Sequence, residues 1–144
     1  MTAARVYRPV AAQVPGVLDV CCRPNVMIPI VRIKKAYEGH ARHVFLAALG
    51  SYLDYNKVVI VVDEDVDIHD LDDAMWAYLT RGRADTRALV LPDIPGFCRD
   101  PQKDHWGRLC IDATMPWGRE AEFARKPIPG QDEIDLAGWL AQPG

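Results

Sequence analysis

Hydrophobic residues change their spacing at residue 63, and the rest of the chain can be placed around that change. Residues 58–62 (VVIVV) are an unbroken β-branched run, long enough for a strand buried on both faces and too short for a helix. An acidic knot follows, made of Asp63, Glu64, Asp65 and Asp67. Beyond it the period becomes 3.6, with Leu71, Met75, Tyr78 and Leu79 on one helical face. Asp67 stands at the expected N-cap, Asp70, Asp72 and Asp73 favour the first turns, and Gly82 after Arg81 is the expected stop.

The flanking pattern is weaker. The first sixteen residues, broken by Pro9 and Pro15-Gly16, read as irregular. Residues 17–22 (VLDVCC) and 26–33 (VMIPIVRI) read as an antiparallel hairpin turning at Arg23-Pro24-Asn25. Pro29 cannot donate to a ladder, which predicts an edge strand or a bulge. Within residues 34–50, Ala41, Val44, Phe45, Ala48 and Leu49 mark a helix that Gly50 should end. Residues 87–91 (RALVL) predict a strand parallel to 58–62 by the right-handed crossover rule. A loop at 92–107 is longer than most structural loops, and a last strand follows at 109–111. In the polar tail, Ile134, Leu136, Trp139 and Leu140 predict a short amphipathic helix over 132–140 that must dock to persist.

At 144 residues, about half of them apolar, the chain is sized for one domain with a real core. The net charge of −3, with acids and bases mixed, leaves no basic stripe for nucleic acid. No apolar run is long enough to span a bilayer, and the N-terminus lacks the apolar core of a signal peptide. None of Cys21, Cys22, Cys98 and Cys110 has zinc-ligand spacing, so reduced thiols in a soluble, cytoplasmic protein are expected.

Candidate chemistry is thin. Asp63-x-Asp65-x-Asp67 begins like a calcium loop, but Ile68 replaces the turn glycine and Ala74 the bidentate glutamate. A receiver-type phosphoacceptor site would want its acids on other strands, so caps and solvated charge account for the knot better. His40 and His43 share a helical face yet lack a third ligand, and they read as surface histidines. Arg99 would favour the Cys98 thiolate, but no histidine stands beside it as base. There is no phosphate-binding glycine loop and no nucleophile elbow, Ser51 being the single serine. On residues alone there is no convincing catalytic constellation.

Four stretches nonetheless agree with a known pattern: residues 58–81 (VVIVVDEDVDIHDLDDAMWAYLTR), 33–50 (IKKAYEGHARHVFLAALG), 108–118 (RLCIDATMPWG) and, more loosely, 14–24 (VPGVLDVCCRP). Their order and spacing resemble the C-terminal domain of the UbiD family of prenylated-FMN-dependent decarboxylases. The resemblance implies an α/β fold, a small mixed β-sheet with helices packed on its faces, over residues 14–118. Residues 1–13 would be an irregular lead and 119–144 a tail with a docking helix. Family members are much longer, and their flavin cradle and Glu–Arg–Glu network lie in a domain that nothing here matches. The resemblance therefore implies no catalytic, cofactor-binding or metal residue in this chain. Prenylated FMN and its metal ions would sit on a UbiD-like large subunit, in a hetero-oligomer with self-association as a further option. The loop after residues 87–91 lines the substrate in the family, which makes Phe97, Cys98 and Arg99 the substrate-contact candidates. Cys98 and Arg99 replace a family-like apolar pair, and Arg99 suits a substrate carboxylate. The rival readings are a non-enzymatic assembly or regulatory module, and a ligand- or metal-binding domain using Asp63–Asp67.

Overall fold

The structure, a computed structural model, describes residues 2–22, 27–101, 107–127 and 129–130. In chain order its elements are α1 (Thr2–Gln13), β1 (Val17–Cys22), β2 (Pro29–Ile33), α2 (His40–Ser51), β3 (Val58–Asp63), α3 (Leu71–Arg81), β4 (Ala88–Leu91), β5 (Arg108–Ala113) and α4 (Glu120–Phe123). The strands form one mixed five-stranded sheet in the order β1-β2-β3-β5-β4. β3 lies at its centre, parallel to β2 and to β5. That is why an uninterrupted valine–isoleucine run belongs there: both faces of β3 are buried. Val59 and Val61 pack with Val44, Phe45, Val6 and Val10 on the face covered by α1 and α2. Ile60 and Val62 pack with Ile68, Ala74 and Ala77 on the face covered by α3. The expected α/β class with helices on both faces is therefore the observed one.

Several local expectations are corrected. The N-terminal segment is a helix, not an irregular lead. Val6, Val10 and Val14 recur every four residues and are fully buried. Burying each is worth about 1.5–3 kcal/mol, which together outweighs the roughly 3 kcal/mol of an interior proline such as Pro9. Pro29 is not on an edge strand. It is the first residue of interior β2, opposite Cys22, where a missing N–H costs little; β1 and β4 are the edges.

The start of α3 also differs. Its N-cap is Asp70, which accepts the Asp72 N–H at 3.0 Å, while Asp67 accepts the His69 N–H and closes the preceding turn. The buried face of α3 is Ala74, Ala77 and Arg81. Leu71, Met75 and Leu79, expected inside, are 41%, 37% and 76% exposed. Two alanines let the helix lie close to the sheet, and the acids at the end of β3 draw Arg81 inward. β4 is antiparallel, and pairs with β5 alone. The crossover rule assumes a helix that carries the chain back across the sheet. Here Arg81, the last residue of α3, touches Asp63 at the carboxyl end of β3, so β4 starts from that end and runs back. α2 continues through Gly50 to Ser51, whose hydroxyl donates to the Ala48 carbonyl. The Arg23-Pro24-Asn25 turn and the helix expected over 132–140 lie outside the described residues.

Candidate functional site

The two ends of β3 carry different chemistry. At the carboxyl end, Asp63 is buried and its Oδ2 accepts the Met115 N–H at 2.6 Å and the Arg81 Nη1 at 3.1 Å. Asp65 takes the same guanidinium bidentately, at 2.8 and 2.6 Å. Arg81 donates its Nε to the Phe123 carbonyl, and its guanidinium lies 5.0 Å from the Trp76 ring centre. Beside them Lys35 donates to Thr114 Oγ1 and the Met115 carbonyl. Arg87 donates to the carbonyls of Arg81 and Thr114 and stands 3.6 Å from Asp112.

Burial pushes the Asp63 carboxyl up to about 6, against the opposing pull of the Met115 N–H and Arg81. The Arg81 hydrogen bonds hold Asp65 below its ordinary value. Burial lowers Lys35. The arrangement is a charge-compensated knot that ties the β3–α3 corner to the segment after β5. Asp63 and Asp65 serve Arg81, and among the described residues no three acids, histidines or cysteines converge as a metal set. His40 and His43 do not act as a pair either. His40 is not the expected surface residue but fully buried, stacked on Tyr37 at 4.3 Å. Its Nδ1 accepts the Ala36 N–H, which leaves the proton on Nε2 to donate to the Pro15 carbonyl. Burial lowers its pKa, so it is a neutral clasp between the α1–β1 turn and the approach to α2. His43 sits outside, bonded to the Tyr37 hydroxyl.

At the amino end lie the loop residues singled out from sequence. Phe97 is half-buried, its ring tilted against Tyr55 at 4.7 Å, and Tyr55 stacks on Tyr52 at 4.5 Å. Cys98 and Arg99 are exposed in the turn that the Asp100 N–H closes on the Phe97 carbonyl. The buried Arg108 anchors this loop, donating to the carbonyls of Pro95 and Leu53 at 2.7 Å each. Phe97, Cys98 and Arg99 are thus brought together, at the end of β3 away from the acidic knot. The tyrosines beneath Phe97 escaped the sequence reading. Their signal was the three-residue spacing of Tyr52 and Tyr55 just past α2.

Among the described residues, clefts open at two places of interest. One, of about 630 Å³, is lined by Ala4, Arg5, Arg8, Pro9, Ser51 and Tyr52. The other, of about 260 Å³, lies at the end of α3 among Arg81, Arg83, Arg87 and Arg119. Neither suits prenylated FMN. The smaller is below the usual range of ligand pockets, roughly 300–1,000 Å³, and its arginines already face carboxylates. The larger is an open groove on the helix side, with no glycine among its lining residues to let backbone approach a phosphate.

Comparison with known proteins agrees with this fold. A profile of the 3-octaprenyl-4-hydroxybenzoate carboxy-lyase C-terminal domain (UbiD_C) matches residues 1–113, so α1 lies inside the match. The chain is 35% identical over 130 residues to anhydromevalonate phosphate decarboxylase of Methanothermobacter thermautotrophicus, covering 84% of this chain and 30% of that protein. The UbiD-class enzyme HmfF from Pelotomaculum thermopropionicum, solved with FMN, superposes with a TM-score of 0.86 at 32% identity, over 96% of this chain and 32% of that one. The 3,4-dihydroxybenzoic acid decarboxylase of Enterobacter cloacae gives 0.83 at 31% identity, again over 96% of this chain and 31% of the other. The sequence spans about 30% of the length of these relatives, and no helix among the described residues is long and apolar enough to cross a membrane. With a profile match over most of its length and relatives above 30% identity, the chain belongs to the UbiD family as its C-terminal domain.

Proposed function

We propose that this domain is the pocket-completing small subunit of a UbiD-type carboxy-lyase, with prenylated FMN and its metal ions on a separate large subunit. The observation that carries this reading is the outward apolar stripe of α3. Leu71, Met75 and Leu79 recur every four residues and are all exposed, and Val90 on edge strand β4 is 67% exposed. A stripe of large apolar side chains on one helix marks a surface that needs a mate. The substrate would be an aromatic or unsaturated acid, in keeping with relatives whose names include phenolic acid and 3,4-dihydroxybenzoic acid decarboxylases. Phe97, Cys98 and Arg99 would line its pocket, with Phe97 steadied by Tyr55 and Arg99 free to reach a carboxylate.

Affinity purification of the tagged chain from its native cells tests this. The expected co-purifying protein is a larger UbiD-like flavoprotein, lost when Leu79→Glu is introduced. Decarboxylation by the purified chain alone, loaded with prenylated FMN, would overturn the assignment.

A further inference from the structure

The arginines that line the two clefts are placed differently. Arg81, Arg83, Arg87 and Arg119, around the smaller cleft, each stand within 4 Å of a carboxylate. Among the described residues, Arg5 and Arg8, which line the larger one, do not. Helix α1 contains no acid, and no acid is among the described residues that line the cleft. Among the described residues Arg8 has no hydrogen-bond or ion-pair partner, and Arg5 has one 3.3 Å bond to the Tyr52 hydroxyl. The Arg5 guanidinium lies 5.7 Å from the Tyr52 ring centre, a loose contact that an incoming group can replace.

The rest of the cleft is firm. Tyr52 is backed by Tyr55, and Tyr55 by Phe97, so its ring is held in place from behind. α1 and α2 are locked together through Val6, Val10, Phe45 and Ala48 in one core. Ala4 and Pro9 add small apolar walls, and about 630 Å³ is ample for a single- or double-ringed molecule. Two cations three residues apart on a rigid helix, beside a preorganised aromatic face, select a flat ring bearing an oxyanion.

We propose that the cleft between α1 and the end of α2 binds a small aromatic anion, its ring over Tyr52 and its oxyanion on Arg5 and Arg8. The site needs no large subunit, so it stands or falls separately from the subunit role. A ring-bearing carboxylate and a nucleoside monophosphate offer the same chemistry, and two probes separate them. The purified chain is titrated calorimetrically with benzoate, adenylate, cyclohexanecarboxylate and inorganic phosphate. Saturable millimolar binding of benzoate identifies the carboxylate source, and of adenylate alone the phosphate source. In either case Arg8→Ala, at an exposed position that cannot threaten folding, weakens binding about tenfold. Tyr52→Leu abolishes the preference for benzoate over cyclohexanecarboxylate, or for adenylate over phosphate. Failure of both ringed probes to saturate in the millimolar range, or affinities unchanged in Arg8→Ala, would overturn the proposal.

Discussion

The two ends of β3 solve opposite problems. At the carboxyl end, charge is abundant and matched: Arg81 lies between Asp63 and Asp65, and Arg87 beside Asp112. At the amino end the Lys57–Asp100 pair stands beside a run of rings, Phe97, Tyr55 and Tyr52 in sequence, and among the described residues the arginines nearby on α1 face no acid. Matched charge holds a fold together, because each partner's demand is met inside the molecule. Unmatched cations beside a half-buried ring are left for something outside it. The acidic knot draws the eye in the sequence, yet the end with the quieter sequence is the better candidate for binding.

The sharpest way to break this contrast is to remove Arg81. Arg81→Ala strands two carboxylates at the β3–α3 corner, and losing one partner of a buried pair costs about 3–5 kcal/mol, readable as a fall in the urea midpoint. The pH dependence comes next. Asp63 is raised from 3.8 to about 6, so the folded state binds its proton more tightly than the unfolded state does. Its effect on stability is most favourable below pH 3.8 and is lost as pH rises through about 6. A tenfold change in proton affinity is worth roughly 1.4 kcal/mol, so the loss is about 3 kcal/mol. Asp65 is held below 3.8 instead, so its contribution fails only as pH falls below that value, outside the same window. Asp63→Asn should flatten the slope between pH 4 and 6 in a series of urea titrations, and an unaltered slope would place the titrating group elsewhere.

At the other end the effects are smaller. Phe97→Ala removes one tilted ring pair, worth about 0.5–1.5 kcal/mol beyond its area, and should lower turnover of the reconstituted complex without dissociating it. Unchanged kinetics would separate the loop from the substrate. Smallest for folding is Leu79→Gln. The side chain is 76% exposed, so stability should move by no more than about 0.5 kcal/mol, while association with a large subunit should weaken measurably by ultracentrifugation.

How far the sequence could be read follows from what each residue answers to. β3 was legible because a strand buried on both faces must be apolar at every position, and α2 because its stripe points at the core. α1 was hidden by Pro9, a local signal outweighed by three buried valines. The inner face of α3 was misassigned because large apolar residues look like core, whereas Ala74, Ala77 and a neutralised Arg81 fit closer to the sheet. On the candidate site, Phe97, Cys98 and Arg99 came from the family pattern. Tyr52, Tyr55, Arg5 and Arg8 did not, since nothing in a linear chain says that the end of α2 will meet the start of α1.

By itself the sequence determined the central strand and the acidic corner, each from spacing within one short stretch, and the α/β class and the family, from the agreement of four stretches with the family pattern. Only the tertiary structure decided that β4 runs antiparallel, that Asp63 and Asp65 are consumed by Arg81, and that Arg5 and Arg8 share a cleft with no carboxylate beside them among the described residues. The reason is physical: periodicity reports which face of an element avoids water, while the pairing of charges and rings depends on distances set by elements far apart in the chain.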